Sequence, residues 1–416
     1  MKPIKPASRK PVIPGATALA LMLASLSMIG PFSIDTYLPA FPNIEATLNA
    51  STIEVQQTLS AFMFAFGVMM LWHGALSDAF GRRNIILGGL AVFAVASLGC
   101  ASAHSVEYLW AFRILQGISA GAGVVIGRAL IRDLYDGPQA ARLLSLVTMI
   151  FSIAPAIAPI LGGWIVKLFN WRSIFLLLFA YSALLLWYCY LRLPETLPPE
   201  KRQPFNPGFL WASYKQVFRS KMFHFLAGVV ACNFAGMFLY VSAAPVFLVR
   251  HLHLGPDQFA WQFAPSVAGI FAGAFIANRN AGKVPVPRLV ALGYASMMAA
   301  AVFNVMYHLW FPPALPWSVA PLFFYTMGMS IVAPSVTMLV LDLFPNIRGI
   351  AASCQSFSMT ILGAVVGGVI APLLSHTVLW LALGQMAFTT LSLPLWLSVR
   401  RLKKVQLRNI VVEPAR

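Results

Sequence analysis

Gly74-Ala-Leu-Ser-Asp-Ala-Phe-Gly-Arg-Arg83 is a short charged break between two apolar runs, 53–73 and 84–103. Crossing the hydrocarbon core of a bilayer takes roughly 20 apolar residues, and each flank is that long. The segment therefore reads as a turn between two membrane spans. The rest of the chain agrees. Of 416 residues, 59% are hydrophobic and only 10% charged, against about 25% charged in soluble domains. Mean hydropathy is +0.77. A water-soluble fold of this size has too little interior to hide so much apolar side chain.

Moving the same window outward predicts twelve spans: 16–40, 53–73, 84–103, 107–131, 139–167, 172–193, 222–249, 259–277, 286–308, 317–343, 349–375 and 377–399. The fold class is an all-α membrane protein of twelve transmembrane helices. The N-terminus, with Lys2, Lys5, Arg9 and Lys10 before an apolar run from Ala16, imitates a secretory signal. The run is too long and ends in no small-x-small site, so it reads as a retained first span. An even number of spans puts both termini on one side. About 24 of the 29 Lys and Arg fall on that side, with Lys167, Arg172 and Arg250 opposite and Arg113 and Arg128 inside spans. The positive-inside bias predicts cytoplasmic termini. The longest polar break, 194–221, divides the chain into two six-helix bundles, 1–193 and 222–416, joined by a cytoplasmic linker, with a short cytoplasmic tail. Two bundles of this kind are a layout of secondary transporters. A repeat of Gly74–Arg83 at 278–283 is too faint to establish duplication.

The formal net charge of +17 does not point to nucleic acid, because Lys and Arg sit in breaks between apolar runs rather than in a patch. Cys100, Cys189, Cys232 and Cys354 lie in apolar runs without CxxC or Cys/His spacing, which reads as free thiols and predicts no metal. No GxxxxGK[ST] loop occurs, so ATP-driven transport is not expected, and no cofactor is implied. With twelve acidic residues, mostly at span ends, no cluster suits a membrane-embedded enzyme. His73, His251 and His253 read as interfacial or loop histidines.

An ionisable residue within a span defaults to a functional hypothesis. Asp35 lies near the outer end of span 1 and Arg113 early in span 4. At 1.5 Å per residue both sit about 8–10 Å below the outer boundary. Asp35 is the candidate proton-binding carboxylate; the alternatives are a structural Asp35–Arg113 pair or an Asp35 simply wet at the span end. Arg113, permanently charged, is a candidate to hold local carbonyls, that carboxylate or an anionic part of a substrate. Gly117 and Gly121 follow it on one small-residue face. In span 5, Ala154, Ala158 and Gly162 form a second small face, and Pro155 and Pro159 can bend the helix. A drug pocket is mostly apolar with a few polar handles. Candidates near mid-membrane are Phe62, Phe66, Asn233, Phe234, Phe238, Tyr240, Tyr325 and Gln355, with Tyr37 and Gln116 grouped beside the charged pair.

Gly74–Arg83 resembles the signature loop of the major facilitator superfamily: Gly74, Leu76, Asp78, Gly81, Arg82 and Arg83 match, and Ser77 replaces a small residue. The resemblance implies two six-helix bundles and a loop acting as a conformational gate that stabilises the outward-facing state. Asp133, at the inner end of span 4, is the candidate partner. Arg113-x-x-Gln116-Gly117 resembles the span-4 motif of proton-coupled members. Ala154-Pro-Ala-Ile-Ala-Pro-Ile-Leu-Gly-Gly163 resembles the antiporter motif through Pro159, Gly162 and Gly163, with Ala154 and Ala158 where glycines are usual. That motif implies export over import; an uptake symporter would share the rest. Ser33-Ile-Asp-Thr-Tyr-Leu-Pro-Ala40, Leu193-Pro-Glu-Thr-Leu-Pro-Pro-Glu-Lys-Arg-Gln-Pro-Phe205 and Phe234-Ala-Gly-Met-Phe238 resemble the bicyclomycin-resistance (Bcr/CflA) efflux family. That likeness implies a monomeric bacterial inner-membrane drug:proton antiporter. Its substrates would be bicyclomycin-, chloramphenicol- or sulfonamide-type compounds, or, as the alternative, a metabolite such as cysteine.

Overall fold

The computed structural model describes residues 15–280 and 283–412 of the chain. The basic run Lys2 to Lys10 lies outside them, as does part of the 278–283 segment. Among the described residues every regular element is helical. Twelve helical segments are long and apolar enough to cross a membrane: Ala16–Leu48, Thr52–Phe80, Arg82–Ala101, Val106–Leu134, Arg142–Leu168, Arg172–Arg192, Lys221–His251, Pro256–Asn280, Val286–Trp310, Ala320–Leu343, Arg348–Leu374 and Val378–Leu402. We number these spans 1 to 12. In hydrocarbon a helix satisfies its own N–H and C=O groups, which accounts for the uniform choice. Below, the "linker face" is the membrane face that carries the span 6–7 connection, and the "far face" is the opposite one.

The observed spans run on beyond the predicted ones where polar residues cap them. Span 2 starts at a capping box: Ser51 accepts from the Glu54 N–H, and the Glu54 carboxylate accepts from the Ser51 N–H. Such a cap is worth about 1 kcal/mol. Span 1 is helical over Ala16–Asp35, turns at Thr36, and resumes through Leu38–Ala40 and Phe41–Leu48. Span 5 breaks at Ser152 and Ile153, ahead of Pro155, which has no N–H to continue the ladder. Spans 7 and 11 each contain a stretch of wider π-type turns, Pro245–His251 and Val366–Ile370.

Three readings need correction. The signature segment is not a loop. Helix runs to Phe80 and restarts at Arg82, leaving Gly81 as the whole turn. Gly81 has φ of 96°, a left-handed value that favours glycine, and a Cβ there would collide with the Glu195 carboxylate. Because span 2 continues so far, His73 is a buried helical residue rather than an interfacial or loop one. The linker, read as a polar break, also contains a helix, Pro207–Arg219. Its buried residues Leu210, Ser213, Tyr214 and Val217 recur at i, i+3, i+4 and i+7.

The buried side chains form two clusters: the larger joins the interior of spans 1–6 to residues of spans 7, 8, 10, 11 and 12, and the smaller holds the rest of the second half's interior. Spans 1–6 and spans 7–12 are therefore packed together. They meet chiefly where span 2 lies on span 11 and span 5 on span 8. Leu71, Trp72 and Ala75 of span 2 pack against the interior cluster of the second half, which the linker helix also joins.

Candidate functional site

The predicted site residues fall into three places. The first is on the linker face. Arg82 pairs with Asp78, and its Nε donates to Asp133 Oδ2 at 3.2 Å. Its Nη1 donates to Ser77 Oγ at 2.6 Å. Arg83 donates to the Tyr190 carbonyl at 2.8 Å and lies over that ring, tying span 3 to the end of span 6. Gly74 faces Val125 of span 4, where a Cβ would make only ordinary contact. Three partners here went unrecognised in the sequence. Glu195 accepts the Arg82 backbone N–H at 3.0 Å and faces Arg202 at 3.7 Å. Thr196 donates to Asp133 Oδ2 at 2.9 Å. Gln203 donates its backbone N–H to the Asp78 carbonyl. The Pro-Glu-Thr stretch after span 6 is thus a strap across the charged cluster, and the conspicuous 193–205 motif was its signal.

The second place is the interior of spans 1–4, toward the far face. Arg113 is fully buried. Its guanidinium lies 4.7 Å from the Tyr37 ring centre and 4.4 Å from that of Phe62, a sandwich of cation–π contacts worth up to about 2 kcal/mol each when desolvated. Nη1 donates to Gln116 Oε1 at 2.9 Å, and Gln116 donates on to Ser97. Nε and Nη2 have no partner. Tyr37 shares a 2.7 Å hydrogen bond with Thr58. Asp35 is 6% exposed, and the ion pairs among the described residues do not include it. The alternative of a structural Asp35–Arg113 pair is therefore not what the structure contains. Aromatic faces and a neutral amide hold the arginine, while the carboxyl sits apart at the C-terminal end of the first helical stretch of span 1.

The third place is span 5. Ala154, Ala158, Pro159, Gly162 and Gly163 are all buried. A Cβ on Gly162 would collide with the carbonyl of Thr36, the residue after Asp35. A Cβ on Gly163 would collide with the carbonyl of Pro256, in the other half of the chain. Two consecutive glycines therefore lodge between the Thr36 backbone and the start of span 8. One turn on, Lys167 pairs with Asp257 at 2.9 Å. Arg250 reaches Glu45 at 3.1 Å and Thr52 at 2.7 Å. Ser60 donates to the Ala364 carbonyl at 2.8 Å, beside the wide turns of span 11. These contacts tie the two halves together at the far face.

The predicted pocket residues are not brought into one cavity. Phe62 and Phe66 stack 5.9 Å apart in the first half, and Phe234 and Phe238 stack 5.5 Å apart in the second. Phe234 lies against Gly363 and Phe238 against Gly367. Gln355 donates to Thr337, and its 12 positions from Gly367 along span 11 amount to about 18 Å. Tyr240 accepts from Asn304, and Tyr325 donates to the Asn233 carbonyl, so both are bound inside the second half. The amide of Asn233 is buried without a partner. A groove of ≈ 680 Å³ opens elsewhere, beside Leu98, Phe112, Arg172 and Leu176 of spans 3, 4 and 6. Its exposed apolar walls mark it as lipid-facing.

Twelve spans in two groups, with buried charges in one of them, define a secondary-transporter architecture. The chain belongs to the Major Facilitator Superfamily, whose family profile matches residues 21–368. It is 34% identical over 352 residues to an uncharacterised MFS-type transporter, YdgK, of Bacillus subtilis, covering 84% of this chain and 87% of that one. It is 29% identical over 358 residues to a bicyclomycin resistance protein homolog of Haemophilus influenzae, covering 86% and 89%. In fold it is similar to an inward-facing, unoccupied bacterial homolog of the human lysosomal transporter Spinster, with TM-score 0.68, 17% identity and 94% and 98% coverage.

Proposed function

We propose that this protein exports drug-like small molecules across the bacterial inner membrane in exchange for protons, with both termini and the linker face in the cytoplasm and one chain as the working unit. The likeness to a bicyclomycin resistance protein homolog supports the substrate class. Asp35 is the proton site: a carboxyl held in the membrane interior without a cation beside it loses an unfavourable charge when it takes up a proton. Arg113 and Gln116 fix the wall of that site through Tyr37 and Phe62.

One observation carries the coupling. Gly162 and Gly163 connect the peptide after Asp35 to span 8 with no side chain between them. A backbone shift at Thr36 on protonation therefore has a rigid route to the interface that closes the far face. Packed interfaces of this kind move between discrete arrangements rather than bending gradually. The Asp78, Arg82, Arg83 and Asp133 cluster, strapped by Glu195 and Thr196, is the cytoplasmic gate. The phenylalanine pairs, Asn233 and Gln355 face successive levels of the substrate path rather than one pocket.

The test uses proteoliposomes with an acid lumen and a panel of bicyclomycin, chloramphenicol, a sulfonamide and cysteine. Adding a transported compound to wild type releases lumenal protons. Asp35→Asn inserts normally but loses that release by at least about tenfold, as expected for removing an obligatory intramembrane carboxyl. Unchanged proton release in the variant would reject Asp35 as the proton site, and proton movement in the opposite sense would reject export.

A further inference from the structure

The helix inside the linker has two faces with different fates. Leu210, Tyr214 and Val217 are buried. The Tyr214 hydroxyl donates to the Leu71 carbonyl at 2.6 Å, Tyr214 and Phe205 both meet the Trp72 ring, and Phe218 meets Phe357 of span 11 edge-on. The helix is thereby docked on both halves. The opposite face is unpartnered. Trp211, Lys215 and Arg219 follow one another at i, i+4 and i+8, and so form one stripe. Trp211 is 72% exposed and Lys215 and Arg219 are exposed. Residues 207–219 contain no acid.

The helix is also pinned at membrane level. Ser220 closes it and at once caps span 7, accepting from the Phe223 N–H at 3.2 Å. His224 bonds the Phe218 carbonyl at 2.6 Å across the same corner. With a single residue between the two helices there is no slack to lift Arg219 away from the start of a membrane span. Trp favours the headgroup level, where its ring is half apolar and half wet. Cations beside a membrane surface attract anionic headgroups.

We propose that the Trp211–Lys215–Arg219 stripe is a lipid-binding surface, with the indole in the interface and the two cations on the phosphates of anionic phospholipids in the leaflet on the linker face. Charge complementarity selects this occupant: two bases, an exposed indole and no acid fit an anionic headgroup over an acyl boundary. Each cation near such a surface enriches anionic lipid about fivefold.

The experiment reads Trp211 directly in the full-length protein, reconstituted in nanodiscs of brominated phosphatidylcholine or brominated phosphatidylglycerol. The emission of wild type minus that of Trp211→Phe isolates one indole. That component should be quenched by brominated lipid, and about twofold or more strongly in phosphatidylglycerol. Lys215→Gln with Arg219→Gln should abolish the preference while leaving quenching by phosphatidylcholine. Quenching by aqueous iodide but by neither lipid would overturn the assignment, because the stripe would then face water. Equal quenching in the two lipids would overturn its anionic selectivity.

Discussion

Spans 1–6 and spans 7–12 each cross the membrane six times, and they bury different polar chemistry. The first half buries Asp35, His73, Arg82 and Arg113. Among the described residues, every buried polar side chain of the second half is neutral. There Asn304 donates to the Tyr240 hydroxyl at 2.7 Å and to Gln385 at 3.3 Å, Gln262 donates to the Tyr240 carbonyl at 2.7 Å, and Tyr294 bonds Ser392. Burying a charge costs several kcal/mol unless specific partners compensate. A neutral amide needs only a hydrogen bond. The first half therefore carries the cost of buried charge, and the buried polar groups of the second are neutral and largely hydrogen-bonded.

Four substitutions separate the halves further. The largest effect is expected from Arg82→Ala, which leaves Asp78 and Asp133 facing each other without a cation. Breaking a buried pair costs about 3–5 kcal/mol, and the partial exposure of both acids places this one near about 3 kcal/mol. Thermal unfolding in detergent should fall accordingly, and Glu195→Gln should reproduce part of the loss; an unshifted transition would mean that the cluster does not hold the fold. Next comes Asn304→Leu, which strands the Tyr240 hydroxyl and Gln385. It should cost about 1–3 kcal/mol while the variant still answers a pH gradient. Loss of proton release in a well-folded Asn304→Leu protein would break the comparison, since a neutral residue of the second half would then share in coupling. The smallest effect is expected from Lys167→Ala. That pair is half exposed, so stability should change by about 1 kcal/mol or less. What should move is the balance of states, read as faster labelling of a cysteine placed at the far face.

Much of the fold was legible because the signal was crude. A bilayer demands roughly 20 apolar residues per crossing, and the observed spans track the predicted ones closely at most ends. Where the reading failed, short-range chemistry had decided. The turn at Gly81 is a single residue because one positive φ suffices to reverse course, and a polar composition at 74–83 hid the helix around it. The linker helix was hidden by the prolines and charges that precede it, although Leu210, Tyr214 and Val217 carry a helical period.

The sequence by itself determined the twelve crossings, the basic bias to one side and which residues are too costly to bury without purpose. All three follow from the free energy of moving side chains between water and hydrocarbon, which each segment feels on its own. Only the tertiary structure decided that Arg113 rests between Tyr37 and Phe62 instead of on Asp35, that Glu195 and Thr196 close over Arg82 and Asp133, and that Gly162 and Gly163 lodge between Thr36 and Pro256. These are choices among partners of similar local merit, and a short-range contact is settled by which helices meet and at what height, something no single segment contains.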